Sequence, residues 1–89
     1  MAQARVKLPA GLVGVDGPKE LACEGRTVGE ALADCIAKEP RLRPRIFRED
    51  GGVWVGIFLN GRNIRQADGM ETLLADGDEL RLMPPIAGG

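Results

Sequence analysis

Arg5-Val6-Lys7-Leu8 alternates charged and apolar residues with a period of two, the pattern of a half-buried strand. Pro9 to Pro18 is glycine-rich, contains Asp16, and reads as a turn or loop. Glu20-Leu21-Ala22-Cys23-Glu24 alternates again, with Leu21 and Cys23 on one face. The connection is too short for a crossover helix, so the two runs are predicted to form a hairpin. Thr27 with Glu30 three residues on is a capping box. Val28, Ala31, Leu32, Cys35 and Ile36 then recur at helical spacing as one apolar stripe, and Pro40 ends the helix.

Beyond Pro40 the pattern changes. Arg41 to Gly52 is a long connection carrying Arg41, Arg43, Arg45 and Arg48, and it closes on the turn Glu49-Asp50-Gly51-Gly52. Val53 to Leu59 is apolar on both faces and reads as a central strand. Asn60-Gly61 is a two-residue hairpin turn, followed by a short return strand with Ile64 as its apolar residue. Asp68-Gly69 and Asp76-Gly77-Asp78 are further turns. Glu79-Leu80-Arg81-Leu82-Met83 is a last strand with Leu80 and Leu82 inward, and Pro84-Pro85 stops it because proline cannot donate to a ladder. The order β-β-α-β-β-β predicts an α+β domain of ubiquitin-like β-grasp type, a mixed sheet with one main helix packed on one face. Residues 1–83 form this domain, and residues 84–89 are expected to be a flexible C-terminal tail.

Composition narrows the chemistry. Eighty-nine residues allow a single domain. Lysine and arginine number 12 against 13 aspartate and glutamate, a net charge of −1, which argues against a nucleic-acid binder. There is no histidine, serine or tyrosine, so Ser-His-Asp and Cys-His catalysis are excluded. Cys23 and Cys35 are too few soft ligands for a structural zinc site. They form neither a CxxC motif nor a disulfide framework, and both are expected as small core residues and not as nucleophiles. No window approaches a membrane span and the N-terminus opens no signal-peptide core, so a cytoplasmic, reducing compartment is expected.

The C-terminus, Pro84-Pro85-Ile86-Ala87-Gly88-Gly89, is the constellation that carries chemistry. An α-carboxylate preceded by two glycines has no Cβ near it. Such a segment can thread a narrow channel and adopt any φ, so another enzyme's active site can reach the carboxylate. With Asp76-Gly77-Asp78-Glu79 and the strand Leu80 to Met83 before it, this ending resembles the MoaD/ThiS family of sulfur-carrier proteins, and the Pro-Pro-aliphatic-Ala-Gly-Gly run is most like the MoaD type. Val55 to Asn60, Ile64-Arg65 and the Gly69–Thr72 turn also resemble MoaD-like carriers that serve cysteine or homocysteine synthesis. The departure from the family pattern is Arg41 to Gly52.

The resemblance implies a protein co-substrate without catalytic residues or bound cofactor. An ATP-dependent adenylyltransferase of the ubiquitin-activating type would convert the Gly89 carboxylate to an acyl-adenylate. Sulfide or a persulfide would displace AMP to leave a thiocarboxylate. An acceptor enzyme such as the large subunit of molybdopterin synthase would take the sulfur, with cysteine or homocysteine synthesis as the alternative. A second alternative is a protein modifier, with the Gly-Gly end joined to lysines. The chain is expected to be ready for activation at Gly89 as translated, with no extension to remove, which fits the carrier and the modifier readings alike. No nucleic acid or membrane partner is expected.

Face counting adds a docking surface. Val53, Val55, Ile57 and Leu59 match the helix stripe and are placed inward. Trp54 and Phe58 then face outward with Met83, a patch at the root of the tail of the kind that binds partners. The alternative is that Arg41–Gly52 folds over and buries this patch. The remaining features have simpler explanations. Asp76-Gly77-Asp78 lacks the spacing of a calcium loop and reads as a turn. The arginine run is expected to be a solvated loop, with RNA or an acidic partner as alternatives. Turn and helix-start roles account for Asp68 and Thr72.

Overall fold

The computed structural model describes residues 2–14 and 17–83. The two alternating runs form the hairpin: β1 (Ala2–Lys7) lies antiparallel to β2 (Glu20–Gly25), with Ala4 opposite Cys23 and Val6 opposite Leu21. Their connection contains one helical turn, α1 (Ala10–Val13), where the sequence pattern predicts only a turn or loop. Leu12 supplies the reason, because it is buried and brings the connection onto the core.

Helix α2 (Val28–Lys38) starts on its predicted cap. Thr27 Oγ1 accepts the Glu30 N–H at 3.2 Å, and the Glu30 carboxylate accepts the Arg26 N–H at 2.8 Å. All five residues of the apolar stripe are buried. Gly25 sits where the hairpin meets this helix, and a Cβ there would lie 2.6 Å from the Ala31 nitrogen. Only glycine allows the strand end to approach the first helical turn so closely.

The arginine-rich segment is folded and not an open loop. A 3-10 turn (Pro40–Leu42) leads into α3 (Arg43–Ile46), and Leu42 and Ile46 are fully buried anchors. Residues 47–53 then double back: Phe47 bridges Val53, Arg48 N–H donates to Gly52 O at 2.7 Å, and Trp54 N–H donates to Ile46 O at 2.8 Å. The following strand is therefore shorter than its apolar run suggests. β3 covers Gly56–Leu59, because Val53 pairs with Phe47 and not with the sheet. Asn60 and Gly61 both take positive φ, at 50° and 86°, as the predicted turn requires. The return strand β4 is only Arg62–Asn63, and buried Ile64 opens a 3-10 turn.

β5 (Glu79–Met83) is the centre of the sheet, whose order is β2-β1-β5-β3-β4. It runs parallel to β1, with Leu80 beside Val6, and antiparallel to β3, with Leu82 opposite Ile57. These inward side chains and the α2 stripe form one core. The molecule is thus the expected β-grasp, one long helix on a mixed five-stranded sheet, with two single-turn helices added.

The cysteines require a correction. Cys23 and Cys35 are buried core residues as expected, but they are not free thiols: their sulfurs are joined in a disulfide. The Cα atoms are 5.7 Å apart, within the range a disulfide spans. Cys23 is inward on β2 and Cys35 lies in the α2 stripe, so two inward positions on packed elements meet. The bond ties strand β2 to the helix that covers it. The paired cysteines therefore give no support to a reducing compartment. Among the described residues no helix is long and apolar enough to cross a membrane.

Candidate functional site

The site begins at the end of β5. Pairing to β1 on one side and β3 on the other holds this strand up to Met83. Gly88 and Gly89, and Pro84, Pro85, Ile86 and Ala87 before them, lie outside the described residues. What the structure defines is the surface from which they depart.

On the face away from α2, Met83 is opposite Gly56 and Arg81 is opposite Phe58. A Cβ on Gly56 would stand 3.4 Å from Phe58 Cε1 and 3.7 Å from Met83 Cβ. The missing side chain at Gly56 therefore makes a shallow seat into which the Phe58 ring leans, beside Met83. Met83 is 44% exposed, and Phe58 is half-buried. Arg81 and Arg5 flank this apolar strip and share Glu79, at 3.6 and 4.0 Å. These are exposed, long pairs that contribute little to stability.

Trp54 is also outward, at 48% exposure, but it turns to a different neighbour. The Arg48 guanidinium lies 4.8 Å above its ring centroid. Arg43, Pro44, Phe47 and Arg48 surround it as an open cleft. The Arg41–Gly52 segment thus lies beside the patch and leaves Trp54 and Met83 exposed. Gly56 and Arg48 are the residues that face counting missed. A glycine inside an apolar strand is a signal of close approach. The Glu49–Gly52 turn signals a hairpin that returns Trp54 towards Arg48.

The other candidates have structural work. Asp76 accepts the Gln3 N–H at 2.8 Å, and Asp78 accepts from Ala75 N–H at 2.8 Å and from the Asn60 amide at 3.0 Å. Thr72 Oγ1 donates to Gly69 O at 2.7 Å and accepts the Asp68 N–H at 3.1 Å. Among the described residues no three acidic, cysteine or histidine side chains converge as a metal site. Shifted carboxylates belong to surface contacts and not to a reaction centre. A hydrogen bond from the Arg41 guanidinium holds Glu39 below the usual carboxylate range. Asp34 is lowered first by the Glu24 N–H, donated at 2.8 Å, and then by Lys38.

With this geometry, the comparisons with known proteins are specific. The family model described as "ThiS family" matches residues 6–89. Small archaeal modifier protein 3 of Haloferax volcanii is 43% identical over 65 residues, covering 71% of this chain and 70% of that protein. Sulfur carrier protein CysO of Mycobacterium tuberculosis is 30% identical over 77 residues, covering 82% and 83%. The solution structure of small archaeal modifier protein 1 from Methanosarcina acetivorans is similar across 100% of this chain and 98% of that one. Its TM-score is 0.85 at 38% identity.

Proposed function

The chain belongs to the ThiS family of ubiquitin-like sulfur carriers, and on that premise we propose that its sulfur is carried on the α-carboxylate of Gly89. In the first step the carboxylate attacks the α-phosphorus of ATP within an adenylyltransferase, releasing pyrophosphate and leaving an acyl-adenylate. Hydrosulfide then adds to the acyl carbon and AMP departs, which leaves a thiocarboxylate and a proton. The carboxylate itself is a poor electrophile, and adenylation supplies its leaving group. The thiocarboxylate sulfur is soft and largely ionised at neutral pH, so it acts as the nucleophile towards an acceptor. The chain acts throughout as a co-substrate: its part is to present the terminus and to be recognised.

The observation that carries this reading is the placement of β5. A central strand, hydrogen-bonded on both sides, ends beside an exposed apolar strip immediately before the Gly-Gly segment. In this proposal Phe58 and Met83, with Trp54, dock the activating and acceptor enzymes, and the segment 84–89 enters their active sites. ATP-dependent activation accords with action in the cytoplasm. Among acceptors, molybdopterin synthesis rests on the Pro-Pro-Ile-Ala-Gly-Gly ending. The alternative, cysteine or homocysteine synthesis, rests on Val55 to Asn60, Ile64-Arg65 and the Gly69–Thr72 turn, and likeness to the sulfur carrier protein CysO supports the carrier role itself. A second reading, conjugation of Gly89 to lysines, is supported by likeness to the archaeal modifier proteins.

The test is removal of the terminus. Deleting Gly89, or replacing Gly88 with the β-branched and wider valine, is expected to abolish adenylation while the melting temperature stays within a degree or so of wild type. Normal sulfur transfer by the protein lacking Gly89 would overturn the proposal.

A further inference from the structure

The arginines between residues 41 and 48 are not absorbed by the carrier chemistry, and the structure gives them a defined setting. Leu42 and Ile46 are buried and pin α3 to the core, while the 47–53 hairpin is closed by backbone hydrogen bonds. Between these two walls is an open cleft of about 780 Å³ with Arg43 and Arg48 on its sides and Trp54 exposed within it. An open cleft of this kind suits an extended peptide better than an enclosed small molecule, which takes a deep, largely apolar pocket.

The arginines in and around the cleft differ in their pairing. Arg41 is paired with Glu39 at 2.7 Å, and Arg81 and Arg5 share Glu79. Arg43, Arg45 and Arg48 have no carboxylate partner among the described residues. Two acids lie on the rim. The Asp50 carboxylate accepts the Gly52 N–H at 2.8 Å, and neither Asp50 nor Glu49 is within ion-pair distance of Arg43 or Arg48. Stacking on Trp54 restrains the Arg48 guanidinium without consuming its N–H donors. A restrained guanidinium loses less side-chain entropy when a carboxylate binds it.

We propose that this cleft is a docking notch for an acidic segment of the enzyme that receives the C-terminus. The segment would place one carboxylate on Arg48, another on Arg43, and an apolar side chain against the exposed part of Trp54. Position supports this occupant. Trp54 is two residues before Gly56, which pairs with Met83 at the end of β5, so the notch adjoins the point from which residues 84–89 leave. A partner holding that segment lies within reach of the notch. Complementary charge at a rim raises association rates and orients the encounter, which is what a delivered terminus requires. RNA is the less favoured occupant, because the chain has a net charge of −1 and the cleft offers one exposed aromatic ring for stacking.

The partner's identity rests on the carrier reading, so the test has two independent arms. In the first, the lone tryptophan reports the notch directly. Titrating the whole protein with a Glu/Leu-rich decapeptide at low salt is expected to shift Trp54 emission saturably. The shift should vanish in the double variant Arg43→Gln/Arg48→Gln, which changes only exposed side chains. No shift up to millimolar peptide, or an equal shift in the double variant, overturns the notch. A shift with oligouridylate and none with the peptide makes the occupant RNA and also overturns it. In the second arm, the double variant is expected to raise KM for the carrier in the adenylyltransferase reaction about tenfold and to flatten its salt dependence. The rate at saturating carrier should change little. Unchanged KM and salt dependence refute the notch, while thiocarboxylate formation by the same sample leaves the carrier reading standing.

Discussion

Replacing Cys23 and Cys35 together removes the covalent tie between β2 and α2, and its cost follows from the loop it closes. The two residues are separated by 12 positions, and both are fully buried. Loop-closure entropy for a crosslink of that span amounts to about 3 kcal/mol. In a domain of this size each kcal/mol moves the melting point by roughly 4–8 °C, so the loss corresponds to ~12–24 °C. The assay compares three samples by circular dichroism: oxidised wild type, wild type unfolded and refolded in phosphine, and the double alanine variant. Unfolding before reduction matters because a buried disulfide is shielded from exchange. The reduced wild type and the variant should both melt well below the oxidised protein, and all three should load sulfur equally, since neither cysteine faces the proposed docking surface. Alkylation under denaturing conditions counts the thiols in parallel. Two alkylated cysteines in protein purified without reductant, or equal melting points in all samples, would refute the crosslink.

Gly25→Ala should destabilise by about 3 kcal/mol, read from urea midpoints, because the new Cβ meets the backbone of α2 and not a yielding side chain. Asp34 has its folded pKa depressed by the Glu24 N–H and Lys38, so its stabilising contribution is complete above the ordinary carboxylate pKa of about 4 and is lost as pH falls through the lower folded value. Asp34→Asn is therefore expected to lower stability at pH 7 and flatten the acid limb of the stability curve, and an unchanged limb would count against that assignment. Phe58→Glu and Met83→Glu should leave the melting point nearly unchanged and weaken binding to the activating enzyme by a few kcal/mol, measured by calorimetry. Retained affinity in both variants would remove the sheet face from the docking surface.

Local pattern made α2 and β5 legible, because a capped apolar stripe and a strict alternation each specify one face without reference to the rest of the chain. Alternation also placed Trp54, Phe58 and Met83 outward, and all three are exposed or half-buried. The misses share a physical cause: they depend on which elements pack together. Cys23 and Cys35 were each placed inward, but their pairing needs β2 against α2, a tertiary fact. Leu42 stands alone between two arginines, while Leu12 and Ile46 belong to the pairs Leu12-Val13 and Ile46-Phe47, too short to show a period; only their burial turns these segments into α1 and α3. Val53 follows the strand pattern, yet the 47–53 hairpin claims its backbone for Phe47. That same hairpin moves Trp54 from the Phe58–Met83 strip towards Arg48, which no period-two pattern records.

Sulfur borne on the Gly89 carboxylate leaves a signature in the mass of the protein. The decisive measurement is intact mass spectrometry of the whole protein after incubation with ATP, an adenylyltransferase of the ubiquitin-activating type and sulfide. The expected result is a mass increase equal to the exchange of one oxygen for one sulfur, located by fragmentation at Gly89 and absent when ATP is withheld. An unmodified mass with an adenylyltransferase that loads a related carrier under the same conditions, or sulfur located at any other residue, would contradict it.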